Sequence, residues 1–380
     1  MSDGWNFFEN KTTTNLDIDL LKKEVAQRFP FYDMRYNTNS AAFFCRIDKE
    51  NLEEKFEELR KSLSEKGYFP MLRYEKGEDI IYILKNPNRK EKPIWVNIGL
   101  LIGVIITTIL TGSILHMGSF DIWSIANPMD VLKVENLFFG GLFFAFPLMS
   151  ILFIHEMGHY FISKRHNVST SFPFFIPIPP VLPSFNIGTF GAIISSKEPI
   201  PNKKALFDIG FSGPLCGFLV AIPVTILGIA TAEIVPQVPI EEISSGTIIF
   251  GSSVFIDVLV SLIHNLPQSL TIEMNPILFA GWVGFLLTSI NLLPAGQLDG
   301  GHIFRAILGE KQKYMAWLAI FIMVFTGWWF FAFIIIFMMG TSHPPPLNDD
   351  TKLDIKRKIL FVLAIIILII CFIPYPIYSV

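Results

Sequence analysis

Long apolar segments are the feature of this sequence that most restricts the fold it can adopt. A hydrocarbon core of about 30 Å is crossed by roughly 20 apolar residues in helical form. Segments of that kind recur after the first quarter of the chain: Trp95 to Leu115, Leu137 to Ile162, Leu206 to Thr231, Pro276 to Leu298, Tyr314 to Gly340 and Ile359 to Tyr378. A further apolar stretch, 247–266, is interrupted by Asp257 and His264, which favours an interfacial or re-entrant segment over a true span. The sequence therefore predicts an all-α polytopic membrane protein with about six transmembrane helices.

Charged residues set the N-terminal part of the chain apart from this membrane body. More than half of all Asp, Glu, Lys and Arg residues precede Trp95. The periodicity there predicts helices at 20–29 and 48–66 and strands at 43–47, 69–74 and 79–84. We therefore expect a small soluble α+β domain over residues 1–92 and a transmembrane domain over 93–380. A regulatory or docking role is favoured for the first domain over a second catalytic site, because no cluster of its residues suggests chemistry.

Lys and Arg residues in the short connections predict the orientation of the spans, because such residues concentrate on the cytoplasmic side. They flank one end of each of the first four spans: Arg89, Lys90, Lys92, Lys164, Arg165, Lys203, Lys204, Arg305, Lys311 and Lys313. The N-terminal domain and the opening of the active site are therefore predicted to be cytoplasmic. A simple count places Lys352, Lys356, Arg357 and Lys358 on the opposite side, so the topology of the last two spans stays open.

Composition excludes two other classes of site. The net charge of -3 comes with no basic stripe interleaved with aromatic residues, so a nucleic-acid partner is not expected. The three cysteines, Cys45, Cys216 and Cys371, are far apart in the sequence and favour neither a disulfide framework nor a cysteine-based zinc site.

The second apolar segment ends in a sequence typical of a metal site. His155 and His159 are one helical turn apart, so both imidazoles lie on one face and can bind one Zn²⁺. Glu156 lies beside them, where it could take a proton from water. Each ionisable residue in an apolar span costs on the order of 2–3 kcal/mol at the bilayer centre, a cost seldom tolerated without a ligand or cavity. This context favours a metal site over polar residues that merely emerge at the interface.

A third protein ligand is needed, because catalytic zinc sites usually have three protein ligands. Asp299 follows the fourth apolar segment, at the membrane depth expected for His155 and His159. His302 is the alternative, and closeness to the apolar segment favours Asp299 over it. Helix-breaking residues around position 294 indicate an irregular backbone, which is tolerated at this depth only where it is buried or lines a wet cavity.

Together these motifs resemble the site-2 protease family of intramembrane zinc metalloproteases. The likeness rests on HExxH in one span and on Asn-x-x-Pro followed by Leu-Asp-Gly in a later one, and it covers a catalytic core of about 137–302. It implies one zinc ion per chain bound by His155, His159 and Asp299, with Glu156 as the general base. It also implies that Asn291 holds the substrate or the oxyanion, although a residue capping the broken helix is the simpler alternative.

Two further segments between these motifs resemble family features. Residues 185–193 contain Gly188, Thr189, Phe190 and Gly191 and resemble a membrane-associated β-hairpin or loop beside the active site. An exposed strand there could bind an unwound substrate by β-addition, and a purely structural turn is the alternative. The Gly213-Pro214 pair resembles a Gly-Pro motif, for which close helix packing is the favoured interpretation.

The predicted function is therefore a zinc endopeptidase that cleaves transmembrane segments of membrane-protein substrates within the lipid bilayer. A metal transporter would need polar residues spread along a path through the membrane, whereas here they concentrate at one depth. A catalytically inactive scaffold is disfavoured because every residue type that the reaction requires is present.

Overall fold

The computed structural model describes residues 16–86, 93–120, 122–180, 187–196, 198–238, 248–267 and 269–379. The chain forms two compact units. The first combines the described residues of Met1–Glu91 with Glu198–Leu206 and Pro344–Asp354, and the second comprises Lys92–Lys197, Phe207–His343 and Ile355–Val380.

The first unit is a four-stranded antiparallel sheet with two helices. Its elements are α1 (Ile18–Ala26), β1 (Phe31–Tyr36), β2 (Ser40–Cys45), α2 (Leu52–Ser64), β3 (Tyr68–Glu75) and β4 (Glu78–Lys85), with strand order β1-β2-β4-β3. A tight turn at Lys76 and Gly77 joins β3 to β4, and both residues have positive φ there. Strand β1 was not predicted, because its burial does not alternate cleanly.

The core of this unit also includes a residue from late in the chain. Leu347 is 2% exposed and joins a cluster with Phe43, Phe56 and Leu63. Its carbonyl accepts a hydrogen bond from the Leu72 amide, and its own amide donates to Ile200. The segments Glu198–Leu206 and Pro344–Asp354 therefore complete a unit whose remaining residues precede position 92.

Three helices, which lie wholly or mainly in the second unit, are long and apolar enough to cross a membrane, counting only the part of the chain that the structure describes. They are α3 (Ile94–His116), the continuous helix Val134–Arg165 and α6 (Lys203–Ala230). The second consists of α4 (Val134–Gly140), one π-helical turn and α5 (Phe146–Arg165). These helices agree with the first three predicted spans and show that the body is helical.

The other predicted spans are shorter or broken. The remaining helices are α7 (Val254–His264), α8 (Pro276–Asn291), α9 (Asp299–Leu308), α10 (Gln312–Phe325), α11 (Trp329–Ile334) and α12 (Ile355–Cys371). The fourth apolar segment stops being helical at Asn291, before the proline-containing loop. The fifth is interrupted between α10 and α11, where Gly327 has φ +76°.

Short strand pairs connect these helices. They are β5 (Phe174–Pro177) with β6 (Thr189–Ile193), β7 (Ile234–Pro236) with β9 (Leu270–Ile272), and β8 (Ile248–Phe250) with β10 (Ile377–Ser379). All three pairs are antiparallel. The β8–β10 pair joins the C-terminal end of the chain to the region just before α7.

Small residues allow α5, α6 and α8 to pack closely. A Cβ atom on Gly158 of α5 would lie 2.7 Å from the Ser212 carbonyl oxygen of α6. On α8, a Cβ atom on Gly284 would lie 2.8 Å from the Ile151 side chain of α5. Close backbone approach of this kind is how helices associate inside a membrane. It brings the HExxH helix against both partners that build the site.

Candidate metal centre

Helix α5 carries three ionisable side chains within about one helical turn. His155 and His159 lie one turn apart, with their ring centroids separated by 4.9 Å. His155 and Glu156 are each 7% exposed and His159 is 9% exposed. Because side chains four residues apart share a helix face, the predicted pairing of the two imidazoles follows directly from the helix.

The backbone after α8 brings Asp299 to this face. A Cβ atom on Gly300 would lie 2.1 Å from the Leu292 carbonyl oxygen, and one on Gly301 would lie 2.4 Å from the Gly296 carbonyl oxygen. The loop 292–298 therefore folds back on the first turn of α9 so closely that only glycine fits. Asp299, the first residue of α9, is thereby held beside α5.

Three ligand atoms converge at this point. The Nε2 atoms of His155 and His159 are 3.1 Å apart, and Oδ2 of Asp299 lies 3.4 Å from the first and 3.2 Å from the second. Tetrahedral ligands about 2.0–2.1 Å from a zinc ion are separated by about 3.3–3.4 Å from one another. The three observed separations are close to that value, so one ion could contact all three atoms.

A hydrogen bond made by Nδ1 of His159 indicates which ring nitrogen carries the proton and which is available to a metal ion. Nδ1 lies 2.8 Å from the Ile209 carbonyl oxygen, which can only accept, so Nδ1 carries the proton. In the neutral ring Nε2 then has the free lone pair, and it faces a carboxylate oxygen and a second imidazole nitrogen. Imidazole nitrogens and carboxylate oxygens are ligand types that zinc binds. The donor set therefore fits zinc.

Helix α6 provides the space that this arrangement needs. A Cβ atom on Gly213 would lie 2.0 Å from Nε2 of His159, and one on Gly217 would lie 3.1 Å from Nδ1 of His155. Gly213 thus borders the candidate metal position. The sequence had predicted only a helix-packing role for the Gly-Pro motif. The spacing of Gly213 to Gly210 and Gly217, which places all three on one face of α6, is the sequence signal that could have indicated its place beside the metal position.

Comparison with known proteins agrees with this geometry. Residues 143–334 match the sequence profile of Peptidase family M50. The chain belongs to Peptidase family M50. The matched region includes the HExxH helix, the Asn-x-x-Pro loop and Asp299, and the resemblance to the site-2 protease family is thereby confirmed.

Several curated plant proteins resemble this M50 chain over its central part. A probable chloroplastic zinc metalloprotease, EGY1, of Oryza sativa subsp. japonica is 28% identical over 248 residues, covering 60% of this chain and 40% of the relative. EGY1 of Arabidopsis thaliana is 26% identical over 240 residues, covering 60% and 42%. EGY2 of Arabidopsis thaliana is 29% identical over 192 residues, covering 50% and 32%. The chain thus spans about two fifths or less of the length of these relatives.

His302, the other ligand considered for the M50 site, does not join the cluster. Its Nδ1 donates to the Leu298 carbonyl oxygen at 3.1 Å, and its ring packs against His343 with the centroids 4.2 Å apart. The described group of potential metal-binding side chains at this point consists of His155, His159 and Asp299. The geometry thus favours Asp299 over His302.

Asn291 is the last residue of α8 and lies at the edge of the cluster. Its Nδ2 is 3.4 Å from Nε2 of His155. The side chain is half-buried. The amide nitrogen therefore lies next to one of the three ligand atoms.

The predicted substrate-binding segment forms a hairpin next to α3 and α5. The β6 residue Thr189 is buried and its hydroxyl donates to the Ile176 carbonyl oxygen of β5, whereas Phe190 is 75% exposed. Gly188 has φ +81°, and its carbonyl accepts from the Thr107 hydroxyl of α3. Gly191 also has positive φ. Gly188 therefore has a structural role in fixing the hairpin on α3. Phe185 and Asn186, which were part of the predicted segment, lie outside the described residues.

Proposed function

We propose that this M50 chain is an intramembrane zinc endopeptidase that cleaves transmembrane segments of membrane-protein substrates. The observation that supports this most strongly is the convergence of two imidazole nitrogens of the apolar helix α5 and one carboxylate oxygen of α9, at 3.1–3.4 Å from one another. Such a set fits one zinc ion per chain, with His155, His159 and Asp299 as its ligands.

Zinc, when bound, supplies a Lewis acid that makes water nucleophilic at neutral pH and polarises a carbonyl oxygen. Glu156, buried beside both histidines, would accept the proton that the attacking water loses and pass it to the departing amide nitrogen. Burial suits this role, because it excludes bulk water that would compete for the proton. His159 is held for its role by the Ile209 carbonyl, which keeps the lone pair on Nε2.

Asn291 would stabilise the scissile carbonyl. Its amide lies at the edge of the cluster, 3.4 Å from Nε2 of His155, where the carbonyl oxygen of a bound peptide can approach. A positioned N–H donor stabilises the negative charge that develops on that oxygen during attack.

The substrate would have to unwind, because a helical backbone is protected by its own hydrogen bonds. We propose that residues 188–191 bind the unwound stretch next to β6 through main-chain hydrogen bonds. The exposed Phe190 would contact substrate side chains, while Gly188 and Thr189 fix the strand and Gly191 permits the bend that follows.

The contacts of α10 and α11 support a revised topology, in which these helices form a hairpin whose ends lie on one side of the membrane. Gln312, at the start of α10, donates to the Thr341 carbonyl oxygen and accepts from the His343 amide, both at 3.1 Å. At the opposite end, the Trp328 indole donates to the Ile373 carbonyl oxygen at 2.9 Å, just beyond α12. Tyr314 to Gly340 is then not one span but two helices that enter and leave on the same face.

This hairpin would remove the conflict in the positive charges. Arg357, in the first turn of α12, pairs with Asp208 of α6, which also contacts His166 directly after Lys164 and Arg165. Arg357 and Lys358 would then lie with the other Lys and Arg residues on the cytoplasmic side. The prediction that residues 1–92 form a cytoplasmic domain and 93–380 the membrane domain is retained as part of this proposal, except that Glu198–Leu206 and Pro344–Asp354 belong to the first unit.

A reporter substrate with a single transmembrane segment tests the function. We expect the purified full chain to cleave it, a chelator to stop cleavage and added Zn²⁺ to restore it. Glu156→Gln should abolish cleavage, because the Gln amide cannot accept the proton. Its metal content should stay unchanged, because residue 156 is not one of the proposed ligands. Retained cleavage by Glu156→Gln would contradict the assigned base, and an active metal-free chain would contradict the whole proposal.

A further inference from the structure

Asp208, near the start of α6, is held by two other helices. The Arg357 guanidinium of α12 donates through Nε to Oδ1 at 2.8 Å and through Nη2 to Oδ2. The His166 ring donates through Nε2 to Oδ2, also at 2.8 Å. All three side chains are about four-fifths buried. We call His166, Asp208 and Arg357 the Asp208 clamp.

The clamp is attached to the helix that supplies two of the candidate ligands. His166 is the C-cap residue of α5. The helix ends there because Asn167 has φ +53° and the Val168 amide bonds back to the Ser163 carbonyl at 2.9 Å. His166 follows His159 by seven residues, or two helical turns, so the two side chains lie on the same face of α5.

The residue after Asp208 contacts the candidate metal centre directly. The Ile209 carbonyl accepts the His159 Nδ1 proton, and Gly213, one turn further along α6, leaves the space next to Nε2. Both features depend on the rotation of α6 about its axis. A rotated α6 would withdraw the carbonyl and bring a bulkier surface towards the ring.

The bidentate contact with Arg357 is suited to fixing that rotation. Two parallel N–H···O bonds define the direction of the carboxylate as well as its distance, and charge-assisted bonds in a partly buried site are stronger than exposed ion pairs. Arg357 lies outside the region 143–334 that matches the M50 profile. The guanidinium is therefore contributed by a helix beyond the matched core.

We propose that the Asp208 clamp is a positioning device for the metal centre: it orients α6 so that Ile209 and Gly213 hold His159 for metal binding. The proposal rests on the proposed function only in that the cluster binds a metal. The hydrogen bonds of His166 and Arg357 go to Asp208, which directly precedes Ile209 on α6, so their effect on the ligand cluster passes through the position of α6.

Cobalt binding by the purified full chain tests this without a substrate. Co²⁺ replaces zinc at tetrahedral sites, and its visible absorption reports ligand geometry. The informative variants are Arg357→Met, Asp208→Asn and the double variant. Lys358→Met is the matched control, because it removes the same charge from the adjacent, exposed position. His166→Gln keeps an N–H donor and His166→Leu does not.

We expect Arg357→Met and Asp208→Asn each to weaken Co²⁺ binding about tenfold and to change the visible spectrum. The double variant should bind Co²⁺ no more weakly than the weaker-binding single variant, because both substitutions disrupt the same contact between Arg357 and Asp208. Lys358→Met should bind as the parent does, and His166→Gln should bind better than His166→Leu.

If the clamp variants bind Co²⁺ with the parent's affinity and spectrum while only the unfolding temperature of the metal-free chain falls, the clamp is merely structural and the proposal is wrong. If the parent itself binds no metal, the proposed function fails as well. The two failures are thus distinguished by the parent measurement.

Discussion

Gly213 and His159 are packed so closely that a single methyl group on the glycine would occupy the place of the imidazole nitrogen. The Cβ atom would lie 2.0 Å from Nε2, the atom that faces the candidate metal position. The site is therefore sensitive at this point to a small change on a neighbouring helix.

Gly213→Ala should therefore weaken metal binding by about 10- to 100-fold, because overpacking displaces the ring from its ligand position. Isothermal titration with Zn²⁺ measures the effect. Gly99→Ala on α3 is the control, since nothing lies within 4 Å of the added Cβ atom there. Parent-like affinity in Gly213→Ala would show that the ring is not held as the structure indicates.

The third ligand is tested by comparing two neighbouring residues of α9. Asp299→Ala should lose most bound zinc, because the site then has two protein ligands in place of three. His302→Ala should keep most metal and activity, because its Nδ1 is engaged with the Leu298 carbonyl instead. Metal content by mass spectrometry, together with reporter cleavage, separates the two. The reverse result would make His302 the ligand.

The chemistry of this site could be predicted from the sequence, whereas much of its support could not. The relative placement of His155, Glu156 and His159 follows from helical periodicity alone, which can be read from the sequence. The position of Asp299 depends on the irregular loop that Pro294 indicates. The residue pattern alone therefore left His302 as an alternative third ligand. The role of Gly213 required knowing which face of α6 meets α5, and hydropathy does not contain that information.

The topology illustrates the same limit. Hydropathy treats Tyr314 to Gly340 as one apolar stretch, because Gly327 is a single residue in an otherwise continuous run. The break depends on its φ of +76° and on Trp328, whose indole bonds outside the segment. The conflict in the positive charges is the sequence signal that left the topology of the last two spans open, and the proposed hairpin would resolve it.

Gln312 should control the position of the loop that leads to Asp299. The side chain is 1% exposed, and its Nε2 donates to the carbonyl oxygens of Pro294 at 2.7 Å and Thr341 at 3.1 Å. Gln312→Leu leaves both carbonyls without that donor, which costs about 1–3 kcal/mol for each buried group.

We expect Gln312→Leu to lower both the unfolding temperature and the rate of reporter cleavage. Gln297→Leu is the control, because that side chain is in the same loop region but exposed. Equal behaviour of the two variants would show that the Gln312 contacts do not support the loop.

The first unit should lose stability in acid through Glu24. Hydrogen bonding to Lys66, with further bonds from Ser62 and Arg28, lowers the pKa of this carboxyl from 4.5 to about 2. Because the folded pKa is depressed, the stabilisation is present above pH 4.5 and is lost as pH falls towards about 2.

The protection factors for hydrogen exchange in α1 and α2 of the full chain, which correct for the pH dependence of intrinsic exchange, should therefore fall as pH is lowered over that interval. Glu24→Gln should reduce the dependence on pH, whereas Glu54→Gln, at an exposed position of α2, should not. An identical pH profile in Glu24→Gln and the parent would exclude Glu24 as the cause.

The hairpin of α10 and α11 predicts which side of the membrane the start of α12 faces. Single cysteines at Lys358, Arg165 and Met129, all at exposed positions, can be labelled with a membrane-impermeant maleimide in vesicles of known orientation. The parent chain, with its three native cysteines, gives the background. Lys358→Cys should react from the same side as Arg165→Cys at the end of α5, and from the side opposite to Met129→Cys before α4. If α10 and α11 instead formed one crossing, Lys358→Cys would react together with Met129→Cys, and the pairing of Arg357 with Asp208 could not exist in the membrane.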